Sequence, residues 1–409
     1  MSAAGYGITQ GIKSIQQDSP AKTLVWGGNL TNEFKTLKNY KALSTILKIK
    51  GSVVATANTV ANADATVNIK YKNDHFYNLI KGFKFQADND VIKNLQENVA
   101  FFRFWLVYYQ EGYESLQKIP QTITIANGQS QGKADVELNI IIPFVFYDMV
   151  NLFQTSLLTW LYDSIFANYQ VTDSNYVVDS ISVSDGGLSN ASVSFENFSM
   201  ESYTDYAIVN NAYLTHSESG VALNANGVLN KIGGYFKVDS KSEIFTGQGN
   251  NQFIKLLPTN VMQFKDLFVI CRDVETNKRV DGIINKITLK DGSRSIVECD
   301  LNTLRNFDLL KYKISPSLWN QTNLNYVDGV GPLYGVIRVD GSNFNDMTNS
   351  VLATGTWANP YLYFDINENI QNYSKGVKFE VIQCYKEVSQ STQSKANAFA
   401  LSSTESNIS

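Results

Sequence analysis

Along most of this chain, residues of like character recur at every second position, and that period rules out a mainly helical fold. Leu43, Thr45, Leu47, Ile49 and Val53 share one parity. Val67, Ile69 and Tyr71 repeat the pattern, as do Ile123 and Ile125, then Val136, Leu138 and Ile140, then Ile181 and Val183. The second half continues it with Phe236 and Val238, Ile287 and Leu289, and Ile337 and Val339. Successive side chains of a strand point to opposite faces, so these runs predict half-buried strands. Asp185-Gly186-Gly187, Asp291-Gly292 and Asp340-Gly341 stand between runs as turn signals. Asp-Gly at Asp291 predicts a tight hairpin, because both residues accept the positive φ that such turns need.

Two helices are predicted. One follows Asp148 as N-cap, with Met149, Leu152, Phe153, Leu157, Trp160 and Leu161 on one face. The other follows Asp300, with Leu301, Leu304 and Phe307 spaced for burial. The segment Asn98–Tyr113 is ambiguous: its aromatic richness favours a buried strand and its length would suit a helix, and the strand is preferred.

Two short strings match across the chain. "VSFENFSM" begins at Val193 and "VKFEVIQC" at Val377. In each, a Val-x-Phe pair sets one parity and the next apolar residues switch to the other. Val193 and Phe195 give way to Phe198 and Met200; Val377 and Phe379 give way to Ile382 and Cys384. A switch of parity marks a bulge, or a strand whose two ends bury opposite faces. Each string closes a strand-rich region and precedes polar sequence. The expectation is one structural unit present twice. The helices after Asp148 and Asp300 lie at different distances from their strings, so the insertions are expected to differ.

The composition bounds the function. Only 18% of the 409 residues are charged, Asn makes up about one residue in ten, and the net charge is −4. No basic run exists, which argues against direct, sequence-specific nucleic-acid binding, since neutralising phosphates carries most of that affinity. The three cysteines have no metal spacing and read as buried thiols of a chain made in a reducing cytoplasm. The start of the chain lacks the pattern of a secretory signal. The most apolar stretch, Phe144–Phe166, is interrupted by Asp148, Asn151, Gln154 and Asp163, so no membrane span is expected. The resulting division is an N-terminal arm over 1–22, a first unit over 23–209, a linker over 210–230, a second unit over 231–388 and a flexible polar tail over 389–409.

No catalytic, cofactor-binding or metal-binding residue is assigned. His75 and His216 are isolated and read as surface residues. "TGQGNNQ" around Gly247 and Gly249, and Asp328–Gly335, lack the spacing of a phosphate cradle and read as loops. Gln86–Asp90 and Asp340–Asp346 read as Asx-rich turns. Glu196 and Glu380 hold matching places in the two strings and read as solvent-facing or interface charges. Asn190 and Asn197 begin sequons that mean little without secretion. Trp26, Trp105, Trp160, Trp319 and Trp357 read as core.

On its length, strand content, paired closing strands and terminal arms, the chain resembles the double jelly-roll major capsid proteins of tailless icosahedral viruses and phages, many with an internal membrane. The resemblance is architectural and covers Thr23–Val388. It implies a mainly β fold of two tandem eight-stranded jelly-roll β-sandwiches with a few inserted helices. It implies a non-enzymatic structural role in the virion, as a pseudo-hexagonal homotrimer that tiles an icosahedral shell. The implied partners are neighbouring trimers, minor capsid, vertex or cement proteins, and the internal membrane, which Lys13, Lys22, Lys35 and Lys38 would meet. The alternative is a phage receptor-binding or baseplate protein, or a glycan-binding β-sandwich, with aromatics gathered on one exposed sheet or groove. An enzyme on a β scaffold would need two carboxylates facing each other across a cleft.

Overall fold

The computed structural model describes residues 12–36, 40–72, 74, 77–95, 100–109, 117–143, 157–159, 162–208, 237–256, 262–322, 329–340, 352–353 and 359–387. The first half holds β1 (Ile12–Thr23), β2 (Asn29–Phe34), β3 (Tyr40–Ala57), β4 (Ala65–Tyr71), β5 (Ile80–Ala87), β6 (Asp90–Leu95), β7 (Thr122–Ile125), β8 (Gln131–Pro143), β9 (Leu157–Leu158), β10 (Ile165–Val171), β11 (Val178–Ser184) and β12 (Ala191–Ile208). The second holds β13 (Lys237–Phe245), β14 (Gly249–Lys255), β15 (Met262–Asp273), β16 (Ile284–Asp291), β17 (Arg294–Asp300), β18 (Val336–Asp340), β19 (Leu352–Ala353), β20 (Pro360–Ile366) and β21 (Val377–Glu387). Helix α1 spans Phe101–Tyr109 and α2 spans Leu301–Tyr312.

The same connectivity occurs twice. In the first half one sheet runs β1-β12-β3-β8 and a second runs β2-β10-β5-β6. In the second half the sheets run β13-β21-β15-β18 and β14-β20-β16-β17. Among the eight main strands of each half, both give the order first-eighth-third-sixth against second-seventh-fourth-fifth, the winding of a jelly roll. Smaller parts repeat too. The two-residue strands β9 and β19 each pair with the third main strand of their half. Helices α1 and α2 each come after the fifth. Strands β4, β7 and β11 form an additional small sheet in the first half.

The matching strings therefore occupy equivalent strands, β12 and β21, and each parity switch has its own cause. In β12 the register with β3 slips between Glu196 and Ser199. Asn197 takes a φ of 54° and Phe198 swings over Gly51, where an added Cβ would lie 2.3 Å from the ring. That is a bulge. In β21 the register with β13 runs unbroken from Val377 to Tyr385. Here Val377, Phe379 and Val381 enter the core of the second roll, while Ile382 and Cys384 enter the core beneath the first. The strand is buried on both faces. Its neighbour β15 divides likewise, with Leu267, Val269 and Cys271 on one side and Phe268 and Ile270 on the other.

Several expectations are corrected. Asn98–Tyr113 contains helix α1, not a strand; an all-round apolar helix and a buried strand look alike in sequence, and Phe101–Tyr108 are buried throughout. The equivalent pair of helices is α1 and α2, and among the described residues the insertions still differ, since the β4-β7-β11 sheet belongs to the first half alone. Most of the helix expected after Asp148 lies outside the described residues, but Leu157–Leu158 is strand, paired to Ala42 and Lys41. On α2 the buried face is Leu301, Leu304 and Asp308, and Phe307 is exposed. Leu43 leaves the buried face because β12 skips it in register, and Ala42 takes its place. The expected arm joins the fold from Ile12 onward, as β1 pairs with β12. Asp291-Gly292 does close the β16–β17 hairpin, with Gly292 at a φ of 56°. The linker and the tail lie outside the described residues.

Candidate functional site

The two rolls meet along a continuous sheet. Strand β6 of the first roll pairs in parallel with β13 of the second, through Lys93 with Val238 and Asn94 with Asp239. The Asn94 side chain donates to Asp239 Oδ1 at 3.2 Å. This contact fuses one sheet of each roll into nine strands, β19 included. Helix α1 packs onto the second roll. Phe101 and Tyr108 meet the Phe268 ring edge-on, at 5.2 and 5.7 Å between centroids. Tyr108 also contacts Tyr312 of α2 at 6.0 Å.

Two buried ionic clusters lie at this junction. In the first, Asp74 is fully buried and the second roll reaches it with two arginines. Arg272 Nη2 donates to Oδ2 at 2.7 Å, and Arg279 Nε lies 3.1 Å from the same oxygen. Arg103 of α1 donates to Oδ1 at 3.2 Å. Burial alone would raise the Asp74 pKa, but the three guanidiniums override it and hold it at about 2. Arg279 is fixed further by donation to the carbonyls of Gly331, Pro332 and Tyr334, so the glycine-containing loop there serves as its socket.

In the second cluster Arg338 is the buried centre. Its guanidinium donates to Asp266, to Tyr312 Oη at 2.6 Å and, from Nη1, to Asp308 Oδ1 at 3.5 Å. Asp340 lies 3.4 Å away and is also paired with Lys311. Tyr108 of α1 donates to Asp308 Oδ2 at 3.1 Å, which ties the first roll to this cluster. Burial pushes the Asp308 pKa up to about 7, with Arg338 opposing and the Asp340 and Asp266 charges adding to the rise.

The sequence-derived candidates are not brought together. His75 and His216 lie outside the described residues. Glu196 is exposed, 3.9 Å from Lys133. Glu380, read as a solvent-facing or interface charge, is buried within the chain, because β21 is covered on both faces. Gly247 and Gly249 lie in and beside the turn between β13 and β14. Within Gln86–Asp90, Asp88 has a φ of 51° and accepts from the amides of Asp163 and Ser164, the work of a turn residue. Among the described residues no group of three or more His, Cys, Asp or Glu could hold a metal. Cys271 and Cys384 are buried and Cys299 is half-buried, and none of the three is in a disulfide. Trp105 and Trp319 are buried, and Trp26 packs against Phe195 and Phe198 at the core's edge.

The residues that join the rolls escaped the sequence reading, though they left a signal. Arg103 in "FFRFWLVYY", Asp266 in "FKDLFVIC" and Arg338 in "GVIRVD" are charges inside apolar runs. Such a charge is buried only when paired. Each charge of the two clusters is committed to another, so the arrangement suits mechanical joining better than proton transfer or nucleophilic attack.

Two jelly rolls in tandem, fused through one sheet, make this a double jelly-roll protein. No family model matches the chain, and no curated protein does. Solved structures share the fold. A crystal structure of the STIV MCP superposes with a TM-score of 0.60 at 12% identity, covering 92% of this chain and 97% of that one. The atomic structure of Sulfolobus Turreted Icosahedral Virus gives 0.58 at 12%, over 92% and 91%. The Faustovirus major capsid protein gives 0.55 at 7%, over 93% and 91%.

Proposed function

We propose that this chain is a major capsid protein, a structural subunit of an icosahedral virion with no catalytic role. One observation carries the reading: two jelly rolls of identical winding are fused into one block through β6 and β13. Three such blocks present six rolls, which is how one gene product can fill a pseudo-hexagonal tile. The full-length likeness to structures named for viral capsid proteins supports the same conclusion. Heterologous contacts between tiles would then close the shell.

Self-association has a candidate surface. Phe253 is 53% exposed on the outer face of the second roll, beside Tyr361 at 5.4 Å and Tyr363 at 5.8 Å. The rings are inclined by 82°, 52° and 40° to one another, so they form a knobbed surface and not a flat sugar platform. We read this patch as a contact between copies. Minor capsid, vertex or cement proteins are the further partners in this reading. In this reading the N-terminal end of the chain meets the internal membrane, although Lys22 donates to Thr31 O and Lys35 to Gln16 Oε1. No helix among the described residues is long and apolar enough to cross a membrane. The division into two rolls, with linker 210–230, second roll 231–388 and tail 389–409, belongs to this proposal, and β1 moves from the arm to the first roll, which then runs from Ile12 to 209.

The test is native mass on the purified chain, followed by negative-stain imaging of the same fraction. Three-copy particles with a hexagonal outline are expected. A monomer that persists at the highest soluble concentration, and forms no larger particle, would count against the reading.

A further inference from the structure

We propose that a polar cleft on the second roll binds a neutral saccharide. The cleft is about 560 Å³ in volume, within the range of small-molecule sites. Five separate segments build it: the residues leading into β16, the first turn of α2, the residues around Trp319, Tyr334 before β18, and Asn367 after β20. It lies within one roll, so the inference does not depend on the capsid reading.

Two of the wall amides, Asn367 and Asn285, are already held in place. Asn367 Nδ2 donates to Gly282 O and to Asn285 Oδ1, both at 3.0 Å, and Asn367 Oδ1 accepts from the amide of Asn369. With its oxygen occupied, Asn285 keeps its own NH₂ to offer. Asn302, Asn320 and Gln321 stand exposed around the same opening. Each amide both donates and accepts, which matches a ligand whose hydroxyls also do both. Leu301 and Ile284, both buried, supply the apolar part of the lining.

The charges select against other ligands. Asp281 and Asp300 outnumber Arg305, the one cation of the lining. Arg305 is spent on Asp281 at 2.8 Å and lies over the Trp319 ring at 5.6 Å. An anion would therefore meet net repulsion. Binding without hydrolysis follows from the same bonds. Asp281 is committed to Arg305, and Asp300 caps α2 by accepting from the Thr303 amide and hydroxyl at 2.9 and 2.6 Å. Neither is free to protonate a leaving group.

The test is saturation-transfer NMR on the full chain with methyl glucoside, methyl galactoside, methyl mannoside and N-acetylglucosamine, using sulfate and citrate as anionic competitors. At least one neutral sugar should bind, with a roughly millimolar Kd typical of a small polar ligand, and the anions should not displace it. The double variant Asn302→Ala/Gln321→Ala should weaken binding at least fivefold without moving the thermal midpoint. If that variant folds poorly, either single substitution at these exposed positions gives the same readout. No binding by any of the four sugars, displacement by the anions, or unchanged binding in the variants would overturn the proposal.

Discussion

The two ionic clusters at the junction are inverse in composition. Around Asp74 one carboxylate meets three guanidiniums; around Arg338 one guanidinium meets three carboxylates. Both are buried and both tie the first roll to the second. The sign of the excess charge decides how each behaves. Excess cation holds Asp74 ionised down to about pH 2. Burial with a surplus of carboxylates leaves Asp308 holding a proton up to about pH 7. One joint is therefore locked at every ordinary pH, while the other titrates near neutrality.

The largest expected effect comes from removing the lone anion. Asp74→Asn would leave three guanidiniums facing one another in a dry site, and breaking a buried pair in this way costs about 3–5 kcal/mol. Urea unfolding should show that loss at pH 7. A change below about 1 kcal/mol would mean that the arginines are satisfied without Asp74.

The second prediction uses the opposite cluster. The folded pKa of Asp308 is raised above the unfolded value of about 3.9, so its contribution to stability is fully present below about pH 4 and is lost as pH rises to about 7. The folded pKa of Asp74 is depressed, so its contribution is present above about pH 4 and is lost as pH falls toward 2. Asp308→Asn should flatten the stability profile between pH 5 and 8 and leave the acid limb intact. Unfolding midpoints at pH 3, 5 and 8 for both proteins check this; an unchanged slope between pH 5 and 8 would assign the titration to another group.

Smaller effects probe the closing strands. Gly51→Ala should cost about 1–3 kcal/mol, because the new Cβ meets Phe198 at the β12 bulge. A cost near zero would show that Phe198 is free to move off Gly51. Phe253→Lys should change stability by less than about 0.5 kcal/mol, since the side chain is exposed. It should nevertheless weaken association between copies, as read by sedimentation.

The two strings also show what a sequence discloses. That Val193 and Val377 lie in equivalent strands was legible, because the alternation and its reversal survive in the letters. The mechanism of each reversal was not. The β12 bulge depends on Gly51, which lies far away in sequence and faces Phe198. The two-sided burial of β21 depends on where the first roll packs. Helix α1 was misread for a related reason: a segment covered by the first roll on one side and the second on the other loses the amphipathic period that marks a surface helix. Phe307 was misplaced because Asp308, drawn inward by Tyr108 and Arg338, holds the buried position on α2. The charges of the junction stood in plain view within apolar runs, but the contacts that cross from one roll to the other join residues some two hundred positions apart, as Arg272 and Asp74 show with a separation of 198.

The central claim is that the two rolls form one block. Hydrogen exchange by mass spectrometry tests it most directly, on peptides from β6 and β13 at the joint and from β10 and β20 far from it. The account predicts that all four open together in one correlated step under mild denaturant. Early exchange at β6 and β13, with β10 and β20 then opening in separate steps, would contradict it.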